Sequence, residues 1–159
     1  MPIFLSGETC RVITSSLDYC RKYKGLKIFA YVVMPTHFHA VVACESPNEL
    51  SDIMRDFKRH TSRELIQVLE GSNCQVALSA FQAAKKDAKG NTDYKLWQDG
   101  FHPKAIFTEA VLRQKIEYVH QNPVRKGLVE KAADWLFSSA RNYLEDSERE
   151  IVLEIDHYF

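Results

Sequence analysis

The apolar positions of the first 25 residues recur at helical spacing. In "SGETCRVITSSLDYCRKYKG" Ile13, Leu17 and Cys20 fall on one side and Gly25 follows as a stop, so the segment predicts a helix. "LKIFAYVVM" is a β-branched and aromatic run, the composition of a strand. Pro35 and Thr36 break it with a tight turn, and "HFHAVVAC" resumes as a second strand, which predicts a hairpin. "SPNE" opens the next helix, with Ser46 as cap, Pro47 at the first position and Glu49 completing a capping box. Leu50, Ile53, Met54, Phe57, Leu65 and Leu69 give that helix an apolar side, and Gly71 is its predicted stop. Residues 74–86 also read as helix, "DAKGNTD" as a loop, "YKLWQ" as a short strand and "DGFHP" as a turn. Thr108 caps a helix expected to end near Asn122, because a residue before proline is pushed away from the α region. A loop, a short helical piece near 132–144 and an acidic tail complete the chain.

Strands and helices in this order imply an α+β fold, a hairpin of an antiparallel sheet backed by helices. The 159 residues suggest a single domain, 1–159, with the acidic tail beginning near residue 143. Composition is that of an ordinary globular protein, 45% hydrophobic and 26% charged. The start "MPIFLSGE" has neither the basic flank nor the apolar length of a signal peptide. The longest apolar run, Ile28 to Met34, falls far short of the ~20 residues that span a membrane. A cytoplasmic protein is expected. Cys10, Cys20, Cys44 and Cys74 form no CxxC pair and read as reduced, buried thiols. Net charge is zero, which alone argues against a nucleic-acid partner. Its distribution softens that conclusion. Residues 143–159 hold six acids and one base, leaving 20 bases and 15 acids in the rest, a slight pointer to an anionic partner that an ordinary surface also explains.

Candidate chemistry begins with "YVVMPTHFHAVVAC". Alternate strand residues share a face, so His37 and His39 point one way and Phe38 the other. Imidazoles about 7 Å apart on one face can both reach a divalent cation. Two ligands are not a site, and two solvated or backbone-bonded histidines at a strand end are the alternative. Val41 excludes a pattern of three alternating histidines, and Ala40-Val41 excludes the Asp-His of a binuclear zinc hydrolase.

The second candidate is "IEYVHQNPVRKGLVE". At about 100° per residue Leu112, Ile116 and Val119 form the packing stripe. Tyr118 lies off that stripe and Asn122, four residues on, lies near it in angle. A phenol and a carboxamide therefore share a face, and the carboxamide oxygen can ligate a hard cation. An ordinary amphipathic tyrosine with an Asn-Pro helix stop is the alternative. Phenol, with a pKa near 10, attacks carbonyls poorly but serves on a phosphodiester when a metal neutralises the phosphate. Two histidines, a remote tyrosine and an asparagine fit DNA strand transfer better than hydrolysis.

"YVVMPTHFHAVV" resembles the YxxMPNHxHxL signature of the IS200-like single-strand DNA transposases, the HUH or Y1 group, and "YVHQNPVRKGLVE" resembles their tyrosine motif, YIxxNPVRAGLV. "LSDIMRDFKRHTSREL", "WQDGFHPKAI" and "DWLFSSARNYL" are also similar, so the resemblance runs from about Phe4 to Ile155 and is nearest to the REP-associated tyrosine branch. It implies a ferredoxin-like α+β sandwich with the histidines on a central strand. It implies that His37, His39 and Asn122 ligate Mg²⁺ or Mn²⁺, with Gln121 a poorer substitute for Asn122. It implies that Tyr118 attacks the scissile phosphate and becomes linked to the 5′ end. Lys58, Arg59, Arg63, Lys104 and Arg125 lie in matching segments and become candidates for phosphate contacts, a solvated charged face being the alternative.

The implied partner is single-stranded or hairpin DNA of a bacterial nucleoid, and a homodimer is one implied assembly. Two departures stand out. Thr36 takes the place of the usual Asn before the first histidine. The family's first strand, of the type "YFVTFT", has no counterpart before "PIF", so the N-terminal strand beside the histidine strand is expected to be missing. A hairpin-binding module that does not cut, or another HUH nickase, are the readings that compete with a transposase.

Overall fold

The computed structural model describes residues 2–85, 97, 105–106, 108–145 and 148–158. Lys104, "DGFHP" and all of "YKLWQ" except Trp97 lie outside them. Helix α1 spans Gly7–Tyr23. Strands β1 (Lys27–Val33) and β2 (Phe38–Ala43) form the expected antiparallel hairpin around Pro35 and Thr36. Helices α2 (Pro47–Gly71), α3 (Gln75–Lys85) and α4 (Glu109–Arg125) follow, then 3-10 turns at Ala132–Asp134 and Ser139–Tyr143. The architecture is α+β, and among the described residues the sheet has two strands.

β1 is buried on both faces. Tyr31 and Val33 enter a core with Ile13 and Leu17 of α1 and Ile53, Phe57 and Leu65 of α2. Ala30 and Val32 enter a second core with Leu112, Ile116 and Val119 of α4. The sheet thus lies between an α1/α2 layer and α4. Trp97 joins the first layer, its ring near Phe4, Phe38 and Phe57 and its indole N–H donating to Thr61 Oγ1 at 3.1 Å.

Local chemistry explains the boundaries. The Ser6 hydroxyl accepts the Thr9 N–H, Thr9 Oγ1 accepts the Ser6 N–H, and Gly25 closes α1 at φ +72°. The capping box expected at α2 is not made: Ser46 caps only through its carbonyl, which accepts the Leu50 N–H at 3.1 Å. α2 ends at Gly71 as expected, although the left-handed residue lies two positions further on. That residue is Asn73, whose φ of 57° is a left-handed conformation that asparagine tolerates. α4 runs through Pro123 to Arg125 and closes at Gly127, φ +67°. Proline removes one donor from the ladder, and the burial of Asn122 and Pro123 outweighs the local preference that predicted an end at Asn122.

The acidic tail is the largest departure from expectation. Leu153 and Ile155 are buried in the α1/α2 core. Asp156 accepts the Ile28 N–H at 3.0 Å, donates its own N–H to the Ile28 carbonyl at 2.8 Å, and pairs with Arg21 at 3.1 Å. Farther up the same edge, Ser139 Oγ accepts the Tyr31 N–H, the Trp135 indole donates to the Val33 carbonyl, and Tyr143 donates to the Phe29 carbonyl. The C-terminal segment thus covers the outer edge of β1, where unpaired backbone groups would otherwise lie exposed. Among the described residues no backbone hydrogen bond reaches the outer edge of β2, where the strand expected to be missing would lie.

If the segment is structural, Ile155→Ala should cost about 2–4 kcal/mol in urea unfolding, the range for truncating a buried isoleucine. A solvated tail would show no change.

Candidate active site

The hairpin presents its histidines as strand alternation requires. Phe38 packs on Phe57 of α2, with ring centroids 5.5 Å apart, and His37 and His39 lie on the opposite face under α4. Their centroids are 4.8 Å apart with planes at 83°. Thr36 Oγ1 lies 2.8 Å from His37 Nδ1, a hydrogen bond that engages that nitrogen and helps orient the ring. Partial burial, with Lys126 beside it, lowers the His37 pKa below the ordinary histidine value. Burial, His37 and Arg125 do the same for His39. Both imidazoles therefore favour the neutral form, the form that binds cations.

Tyr118 stands over His39, edge to face, at 6.0 Å between centroids, and is 48% exposed. Its position off the packing stripe of α4 is as the spacing predicts. The Arg125 guanidinium covers the phenol at 4.0 Å from the ring centroid, while its Nη2 donates to the Tyr118 carbonyl at 2.9 Å. Asn122 is buried one turn beyond Tyr118, and its Nδ2 donates to the same carbonyl at 3.3 Å. His37, His39 and Asn122 are the residues here that could hold a divalent cation. Among the described residues no three His, Cys, Asp or Glu side chains cluster around a metal-sized space.

The five basic candidates part company. Arg125 belongs to the site. Lys58, Arg59 and Arg63 lie on α2, the layer across the sheet from Tyr118, and the structure does not bring them to it. Lys104 lies outside the described residues.

A model of the family described as "Transposase IS200 like" matches residues 4–122. The chain belongs to the IS200-like transposase family. A curated relative, the REP-associated tyrosine transposase of Escherichia coli (strain K12), is 23% identical over 120 residues, covering 75% of this chain and 57% of the relative. The chain thus spans just over half the length of that relative. A solved structure titled "Structure of the REP associates tyrosine transposase bound to a REP hairpin" shares the fold, with a TM-score of 0.58 and 20% identity over 91% of this chain and 75% of that one.

Sequence reasoning assigned no role to the residues that fix α4. His120 is buried, its Nε2 2.7 Å from Ser139 Oγ, the same oxygen that accepts the Tyr31 N–H. Its ring packs against Tyr143 at 5.1 Å between centroids. The signal was present: four residues after Ile116, His120 sits about 40° from it, on the packing stripe.

Burial lowers the His120 pKa from 6.5 to about 4. A histidine neutral in the fold but protonated when unfolded stabilises fully above pH 6.5, and that stability is lost as pH falls toward 4. The shift from 6.5 to about 4 corresponds to roughly 3 kcal/mol at about 1.4 kcal/mol per unit. Urea unfolding across this window should show His120→Gln to be less stable than the parent at pH 7 and less sensitive to acid below it. A parallel decline of both proteins would assign the acid sensitivity to other groups.

Proposed function

We propose that this protein is a metal-dependent single-strand DNA endonuclease and strand transferase that acts beside DNA hairpins through a 5′-phosphotyrosine intermediate. The observation that carries the reading is the convergence of Tyr118 from α4 on His39 of β2, with His37 beside it just before the strand, within one chain. Family membership supports it, as does a relative solved with a REP hairpin. Tyr118's phenolic oxygen attacks the phosphorus and the P–O3′ bond breaks. The phenol's proton goes, in balance, to the departing 3′-oxygen. One phosphodiester replaces another, so an incoming 3′-hydroxyl can reverse the step with a different strand. Arg125, already stacked on the phenol, lies where it can hold a phosphate oxygen of the entering strand.

His37, His39 and Asn122 would hold Mg²⁺ or Mn²⁺, which when bound neutralises the scissile phosphate and stabilises the leaving oxygen. Two imidazoles disposed to neutrality and a carboxamide oxygen form a donor set suited to such a cation. The Tyr118–His39 contact needs no partner subunit, and a homodimer would bring together two complete sites. Among the described residues no helix is long and apolar enough to cross a membrane. The reading places the protein on the bacterial chromosome in the cytoplasm.

A denaturing gel tests it. Labelled single-stranded hairpins with flanking sequence should give a covalent protein–DNA adduct with Mn²⁺ and none with EDTA. Tyr118→Phe should abolish the adduct, and His37→Ala or His39→Ala should lower its yield about a hundredfold or more. Hairpin binding without an adduct would instead make the protein a binding module.

A further inference from the structure

We propose that the groove between α1 and α2, across the sheet from Tyr118, is a second binding site that takes the single-stranded DNA flanking the processed segment. The nature of its occupant rests on the function proposed above; the groove itself does not. It encloses about 640 Å³, within the range of ligand sites. Lys24, Arg59, His60 and Arg63 line it against a single carboxylate, Asp56. Asp56 pairs with Lys24 at 3.2 Å and with Arg59 at 3.1 Å, so the carboxylate orients the cations and leaves the groove with an excess of positive charge. Arg59, His60 and Arg63 are all exposed, as phosphate contacts must be.

Tyr19 also lines the groove, and Tyr23 stands one turn further along α1. Their rings are 4.9 Å apart and tilted by 46°. Tyr19 is 55% and Tyr23 72% exposed, so neither contributes a buried ring to the fold. Paired tyrosines at the mouth of a basic groove form a stacking platform beside phosphate-binding cations, the combination that holds single strands. Duplex bases are stacked on one another and could not use it. A strand reaching both this groove and Tyr118 must pass around the sheet, so long substrates should bind more tightly than those that merely span the cleavage point.

The test is fluorescence anisotropy of the full chain with labelled oligothymidylate of about twenty nucleotides, longer than a single stacking site spans. The Tyr19→Ala, Tyr23→Ala double variant should bind about tenfold more weakly, within the loss expected of a base–aromatic stack. The Tyr19→Phe, Tyr23→Phe variant keeps both ring faces and should bind within about twofold of the parent. Arg63→Ala should reduce the slope of log affinity against log salt by about 0.7, one phosphate's share on a single strand. On a minimal hairpin spanning only the cleavage point, the double-alanine variant should form the Tyr118 adduct as the parent does. Unchanged oligothymidylate affinity in that variant overturns the proposal, as does an equal loss of adduct on the minimal hairpin. Weakened oligothymidylate binding in that variant, with no adduct from the parent on any substrate, keeps the groove and overturns the strand-transfer reading.

Discussion

One seven-residue strand, β1, sets the positions of β2, α1, α2, α4 and the C-terminal segment. Ile28, Ala30, Tyr31, Val32 and Val33 are fully buried, so both faces of β1 must be covered. Tyr31 and Val33 meet α1 and α2, and Ala30 and Val32 meet α4 on the other side. A buried strand cannot leave its backbone groups unpaired, since each orphan costs about 1–3 kcal/mol. β2 satisfies one edge and the C-terminal segment satisfies the other, at Ile28, Phe29, Tyr31 and Val33. The apolar run "LKIFAYVVM" therefore specifies more than a strand: it requires two layers and a second edge partner.

The candidate active site is a consequence of that sandwich. Alternation turns Phe38 toward α2 and His37 and His39 toward α4, whose packing stripe is spent on Ala30, Val32 and Val41. Tyr118, off the stripe, is left between β2 and solvent. Position along the helix axis must also be fixed, because a slide of one turn, about 5.4 Å, would carry the phenol away from His39. The His120–Ser139–Tyr31 linkage provides that fix, tying α4 through a buried side chain to the edge of β1.

Local signals in the sequence reached the elements and the face that carries the candidate site. The hairpin, the orientation of its histidines and the position of Tyr118 off the packing stripe follow from periodicities of two and 3.6, and the N-cap of α4 at Thr108 from side-chain capping chemistry. Long-range packing decided the rest. Pro123 continues its helix because Asn122 and Pro123 are buried in the fold, which no window of neighbouring residues discloses. Leu153 and Ile155 look sparse among acids, yet the core they join is built from residues of α1, β1 and α2, far earlier in the chain. Lys58, Arg59 and Arg63 share a segment with the family's pattern, but the direction of α2 places them behind the sheet.

Charge is where composition misleads most. A net charge of zero counts acids that the fold has already engaged: Asp156 with Arg21 and the Ile28 N–H, Asp134 with Arg149, Glu150 with Arg11. These pairs stand along the C-terminal segment. Around Tyr118 and the histidines the nearby charges are cations instead: Arg125 over the phenol and beside His39, and Lys126 beside His37, where they lower the pKa values of those imidazoles. At physiological salt fields between exposed charges fade within about 8 Å, so a polyanion responds to local groups and not to the sum. A neutral chain can thus offer basic surfaces on both faces of its sheet, because its acids are unevenly spread: residues 143–159 alone hold six acids and one base.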